Sequence, residues 1–122
     1  MLSLPLPVRI FLCTRHADLR KSFDGLAQLV REFLGADPLS GHLFVFRNKR
    51  GDRLKLLYWD RDGYAIWYKR LEIGSFRFPS VTGSGDGIEI AATDLAMILE
   101  GIDLASVKRQ KRYRRPEPAT TC

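Results

Sequence analysis

Histidine and cysteine are scarce in this chain, with two of each in 122 residues. His16 and His42 stand far apart, and no His-x-His or Cys-x-x-Cys spacing exists, so no metal site can be read from local ligand spacing. Cys13 lies in an apolar run and Cys122 is the last residue, which makes no disulfide framework and fits a reducing, cytoplasmic setting. No apolar run approaches the roughly 20 residues a membrane-spanning helix needs. The opening "MLSLPLPVRIFLC" is interrupted by Pro5 and Pro7 and lacks a basic start and a small-residue cleavage site, so it does not read as a signal peptide. Gly-x-Ser-x-Gly and Gly-x-x-x-x-Gly-Lys are both missing, which removes the serine-hydrolase elbow and the phosphate-binding loop from consideration. Cys13 reads as a buried, inert thiol. Internal repeats are absent too.

What the chain has is positive charge, unevenly placed. Its formal net charge is +6. Residues 47–70 carry eight basic and three acidic groups, hence +5, and residues 108–122 carry six and one, again +5. Between them, residues 71–107 carry one basic and six acidic groups, hence −5. Clustering of this kind is the electrostatic footprint of a polyanion partner. A solvated sheet face with a solubilising tail would look the same by charge alone.

The apolar pattern predicts one domain over 1–106 and a basic, flexible tail over 107–122. "VRIFLC" (8–13) reads as a strand. Phe23, Leu26, Ala27, Val30, Phe33 and Leu34 fall on one face of a helix, with Ser22 or Asp24 as its cap, Gly35 as its stop, and Asp37-Pro38 blocking continuation. "HLFVF", "RLKLLYW" and "YAIWYKRL" follow as three strands joined by short loops, which forces antiparallel neighbours. The second loop carries Asp62-Gly63, a hairpin signal. A short "IEI" strand precedes a second helix carrying Leu95, Ile98, Leu99 and Ile102, with Thr93 as its expected cap and Gly101 as its stop. The expected fold is α+β: an antiparallel meander of three to four strands packed against two helices, with a disordered basic arm.

Nucleic-acid binding is the chemistry these residues support best. Arg47, Lys49, Arg50 and Arg53 cluster at one end of the meander, and Lys55, Lys69 and Arg70 lie on its strands. Lys108, Arg109, Lys111, Arg112, Arg114 and Arg115 in the tail suit a phosphate backbone. Tyr58, Trp59, Tyr64, Trp67 and Tyr68 are interleaved with these cations, where exposed rings would stack on bases. Trp59 and Trp67 are expected in the core instead, because large rings are how a small sheet gains stability. A magnesium nuclease would need three or four converging acids. Asp60 and Asp62 are explained by the turn they flank, and Asp18 and Asp24 only flank the first helix start.

"DLRKSFDGLAQLV", "DPLSGHLFVFRNKRGDRLKLLYWD", "YKRLEIGSFRFP" and "LEGID" occur in this order. Together they resemble the TnpB-type accessory family encoded by the second open reading frame of bacterial insertion sequences of the IS-sixty-six group. That family is distinct from the RNA-guided nuclease sharing the TnpB name. The resemblance covers about residues 8 to 103. It singles out Asp18, Arg20 and Lys21; Asp37, Pro38, Ser40 and Gly41; Phe46 and Arg47; Lys69, Arg70 and Leu71; Phe76 and Pro79; and Gly101 with Asp103. Leu19 stands where the family usually has Met, Ser75 where a basic residue is common, and Phe78 and Leu104 where Trp is common. The resemblance implies a role in transposition beside a separate, larger transposase.

The resulting expectation is a non-catalytic accessory factor that needs no cofactor or metal. It would bind DNA, such as the element's ends, together with the transposase and the element's other accessory protein. The alternative is a protein adaptor that docks through the aromatic strand face and the acidic segment 71–107 without touching DNA.

Overall fold

The computed structural model describes residues 8–79, 85–103 and 108–109. Its elements run β1 (Ile10–Cys13), α1 (Phe23–Leu34), β2 (Leu43–Arg47), β3 (Arg53–Asp60), β4 (Gly63–Arg70), β5 (Gly87–Ile90), α2 (Ala92–Leu99), β6 (Ile102–Asp103) and β7 (Lys108–Arg109). Five strands form one sheet in the order β4-β3-β2-β1-β5. The meander β2-β3-β4 is antiparallel, as the short loops require, but it is only part of the sheet. β1 lies parallel to β2, with Ile10 opposite Leu43, and β5 lies antiparallel to β1. The sheet is therefore mixed, which corrects the expected three- to four-stranded antiparallel meander. The physical reason is the connection from β1 to β2, which contains α1 and is long enough for a parallel crossover.

Alternation along the strands sorts the core into two layers. On one face Phe44, Phe46 and Leu57 pack with Leu26, Ala27, Leu29 and Val30 of α1, and with Ala17 and Leu19. On the other face Ile10, Leu12, Leu43, Val45, Leu54 and Leu56 pack with Leu95 and Ile98 of α2, and with Leu71 and Phe76. The two helices thus cover opposite faces. β2 sits between two strands and under both layers, and its first four residues are buried.

Helix α1 begins and ends where its sequence demands. The Ser22 carbonyl, not its hydroxyl, accepts the N–H of Leu26 at 2.9 Å. Gly35 adopts φ 57°, a left-handed turn that costs other residues more. For α2 the expected cap Thr93 lies inside the helix. Ala91 is the N-cap residue, and its N–H donates to the Asp94 carboxylate at 3.1 Å. The hairpin β3-β4 turns through Arg61 and Asp62, with Asp60 paired to Gly63. Positive φ falls on Arg61 (56°), so Gly63 opens β4 instead of supplying the turn's unusual backbone.

Trp59 and Trp67 are half-buried, not fully enclosed. Trp67 packs against the α2-side core, and Trp59 meets Tyr64 edge-on with ring centroids 5.1 Å apart. Lys108 and Arg109, expected in a disordered arm, pair with Asp103 and Ile102. The other tail cations, Lys111, Arg112, Arg114 and Arg115, lie outside the described residues. Among the described residues no helix is long and apolar enough to cross a membrane.

Candidate nucleic-acid interface

The loop between β2 and β3 is held as a rigid turn. Asn48 accepts the Arg53 N–H on its side-chain oxygen at 3.0 Å and donates its amide to Asp52 at 2.8 Å. Gly51 adopts φ 78° and is buried; a Cβ there would lie 3.4 Å from Ser75 Cβ. Its carbonyl accepts the Phe76 N–H, and the Asp52 carbonyl accepts the Leu71 N–H, both at 2.7 Å. The segment after β4 therefore braces the loop from behind. Lys49 and Arg50 are left exposed at its tip.

A second strap comes from residues 14–22. Ala17 donates its N–H to the Arg47 carbonyl at 2.9 Å, and Ala17 and Leu19 are buried. Between these anchors, Asp18 turns outward and accepts the Arg20 guanidinium at 3.0 and 2.8 Å. That pairing, with the Arg20 N–H as a further donor, lowers the Asp18 carboxyl to about 2.

Strap and loop together enclose an open cleft of about 540 Å³, lined by residues 16–20, Asn48, Lys49, Arg50, Asp52, Arg53 and Tyr68. Four cations, Arg20, Lys49, Arg50 and Arg53, face two carboxylates there, Asp18 and Asp52. Arg53 donates to the Tyr68 hydroxyl at 3.1 Å, which fixes its guanidinium beside an exposed aromatic ring. A smaller cleft of about 250 Å³ lies on the other side of the loop and adds Arg47 and Arg77. Fixed cations beside an open ring can hold phosphates and stack a base.

The predicted cations divide accordingly. Lys49, Arg50 and Arg53 converge. Arg47 is half-buried; it donates to the Phe76 carbonyl at 3.0 Å and lies 4.3 Å from the centre of the Phe78 ring. Burial, and then the nearby Arg77, lower the pKa of Arg47. Lys55 is 8% exposed, and its ammonium donates to the Lys21 carbonyl at 2.9 Å. Lys69 and Arg70 are neighbours on one strand and so project to opposite faces. Arg70 pairs with Glu72 at 3.0 Å, whereas Lys69 is exposed on the α2 side. His16, Arg20 and Arg77 line the clefts, although the charge pattern did not mark them as contacts. For Arg77 the signal was available in "FRF", where one charged residue stands between two rings.

Most other positions singled out by the resemblance build turns and core. Asp37 accepts the Leu39 N–H at 2.9 Å, and Ser40 accepts the His42 N–H at 3.3 Å. Pro38, Phe46, Leu71 and Phe76 are buried, Pro79 is half-buried, and Gly41 and Gly101 have positive φ. Asp103 lies in β6. Cys13 is buried too, and burial raises its thiol to about 11. Among the described residues, no three His, Cys, Asp or Glu side chains converge as metal ligands.

No solved structure matches this chain. Two proteins of Sinorhizobium fredii do. One, named as the uncharacterized protein y4jC, is 39% identical over 109 residues, covering 89% of this chain and 91% of its own length. The other, named as the uncharacterized protein y4hO, is 42% identical over 96 residues, covering 79% and 82%. Residues 8–109, which span both clefts and the whole described sheet, match the family described as IS66 Orf2 like protein, and the chain belongs to that family.

Proposed function

We propose that this protein is a non-catalytic accessory factor in the transposition of a bacterial insertion sequence, and that it contacts DNA through the cleft formed by Arg20, Lys49, Arg50, Arg53 and Tyr68. Family membership supports the process. The observation that supports DNA contact is the convergence of exposed cations on a loop braced by Asn48, Gly51 and Phe76. A braced loop holds the backbone that carries these charges, so little backbone ordering entropy is lost when a phosphate backbone binds. The larger transposase and the DNA of the element are the partners this reading names.

Fluorescence anisotropy with duplex DNA over a salt series tests it. Affinity should fall linearly in log–log form, and Lys49→Ala/Arg50→Ala/Arg53→Ala should lower the slope by roughly 3. An absence of binding at low salt, or binding indifferent to salt, would overturn the reading.

The adaptor reading draws less support, because much of the acidic segment is already engaged. Glu72, Asp86 and Glu89 pair with Arg70, Arg15 and Arg9, and Asp94 caps α2.

A further inference from the structure

β4 is the outermost strand on its side of the sheet, with no strand beyond it among the described residues. Natural edge strands are kept short, or carry proline, a bulge or a mid-strand charge, which stops another chain from adding. β4 has neither proline nor bulge, and its charges are confined to its last two residues, Lys69 and Arg70. It is eight residues long and pairs with β3 residue for residue from Gly63 to Arg70. Its centre, Tyr64-Ala65-Ile66-Trp67-Tyr68, holds no charge and no proline. Tyr64, Ala65, Ile66 and Trp67 are only half-buried, and Tyr68 is 47% exposed.

The strand's own sequence says what fits beside it. Gly63 pairs inward across the turn, and Leu71, in the same phase, donates its N–H inward to Asp52. The backbone groups of Tyr64, Ile66, Tyr68 and Arg70 therefore point away from the sheet. Two antiparallel copies related by a two-fold axis at Ile66 bring these outward groups together. Opposed residues then share a face. On the α1 face Ile66 meets Ile66 and Tyr64 meets Tyr68, while Asp62, in the turn just before the strand, comes beside Arg70. On the α2 face Ala65 meets Trp67, and Gly63 meets Lys69. Small sits against large and acid against base, each twice.

Neighbouring registers lack this match. An axis at Trp67 opposes Asp62 to Glu72, and an axis at Ala65 opposes Arg61 to Lys69. Asp62 makes no ion pair among the described residues. Arg70 already holds Glu72 at 3.0 Å, but a guanidinium has five N–H donors and can serve both carboxylates.

We propose that two copies of this protein join through antiparallel β4–β4 pairing centred on Ile66, forming one continuous ten-stranded sheet. The inference does not rest on the DNA reading, although the two share Tyr68, whose edge meets Tyr64 of the second copy. It has a consequence for it, because both basic clefts end up on the same face. Rises of ~3.3 Å per residue and ~4.8 Å per strand place the two Arg53 Cα atoms roughly 30 Å apart, near one turn of B-DNA.

Sedimentation equilibrium of the full chain, without DNA and across a concentration series, tests it. The wild type should reach twice the chain mass. Asp62→Arg, and separately Arg70→Asp, should weaken association about tenfold or more, and the double swap should restore it. In a Cys122→Ser chain, Ile66→Cys should form an intermolecular disulfide on mild oxidation, because its two copies face each other at the axis. Lys49→Ala/Arg50→Ala should associate like the wild type, which separates this result from any loss of DNA binding. Three outcomes would overturn the proposal: a monomer at the highest concentration, a dimer indifferent to both charge reversals, or a dimer in which Ile66→Cys gives no cross-link.

Discussion

Asp18, Asp52 and Glu89 each hold a carboxyl below the ordinary range, and in each case the largest cause is a side-chain hydrogen bond. The donor is Arg20 for Asp18, Asn48 for Asp52 and Arg9 for Glu89. A carboxyl that titrates lower when folded leaves the unfolded chain holding more protons in the acid range. The stabilisation is therefore complete above the unfolded values and is lost as pH falls through the folded ones. Asp18 and Glu89 are exposed and Asp52 is half-buried, so solvent screens each effect and keeps it modest. The thermal midpoint should stay level from about pH 7 to 5 and fall between about pH 4.5 and 2. Asp18→Asn should make that fall shallower, as a calorimetric pH series would show. In the sequence Arg20 was legible only as a member of a motif, and Asp18 as that and as an acid flanking the first helix start. Their mutual pairing needed the turn that Ala17 and Leu19 anchor.

Among the elements, the stretch from Leu71 to Pro79 has no regular structure, yet it braces the basic loop. Phe76 is 1% exposed and fills the α2-side core, its N–H reaches Gly51, and its carbonyl receives Arg47. Phe76→Ala should destabilise the fold by about 3–5 kcal/mol in urea unfolding, because a buried ring leaves a cavity. Much of the element order was readable. Helix α1 was visible from apolar spacing closed by Gly35 and Asp37-Pro38, and β2, β3 and β4 from their short loops. The parallel pairing of β1 with β2 was not. Turn logic sees only sequence neighbours, and Ile10 meets Leu43 across an intervening helix. Nor was the hairpin's backbone readable, since Asp-Gly pointed to Gly63 while the positive φ fell on Arg61.

Across the whole molecule, the sheet separates cations that look like one cluster in the sequence. Lys69 and Arg50 belong to the same +5 segment. Arg50 stands at the tip of the braced loop and lines both clefts, while Lys69 projects on the α2 side of the edge strand. A chain that attracted DNA by net charge alone would respond equally to the loss of either. Binding through a cleft on one face responds unequally, because phosphate contacts count only where phosphate reaches. Arg50→Ala should therefore weaken duplex binding and lower the salt slope by about 1, whereas Lys69→Ala should leave the slope unchanged. Both variants carry the same net charge and keep the core intact, so anisotropy over one shared salt series compares them directly. Equal losses would move the contact from the cleft to the charge of the whole segment.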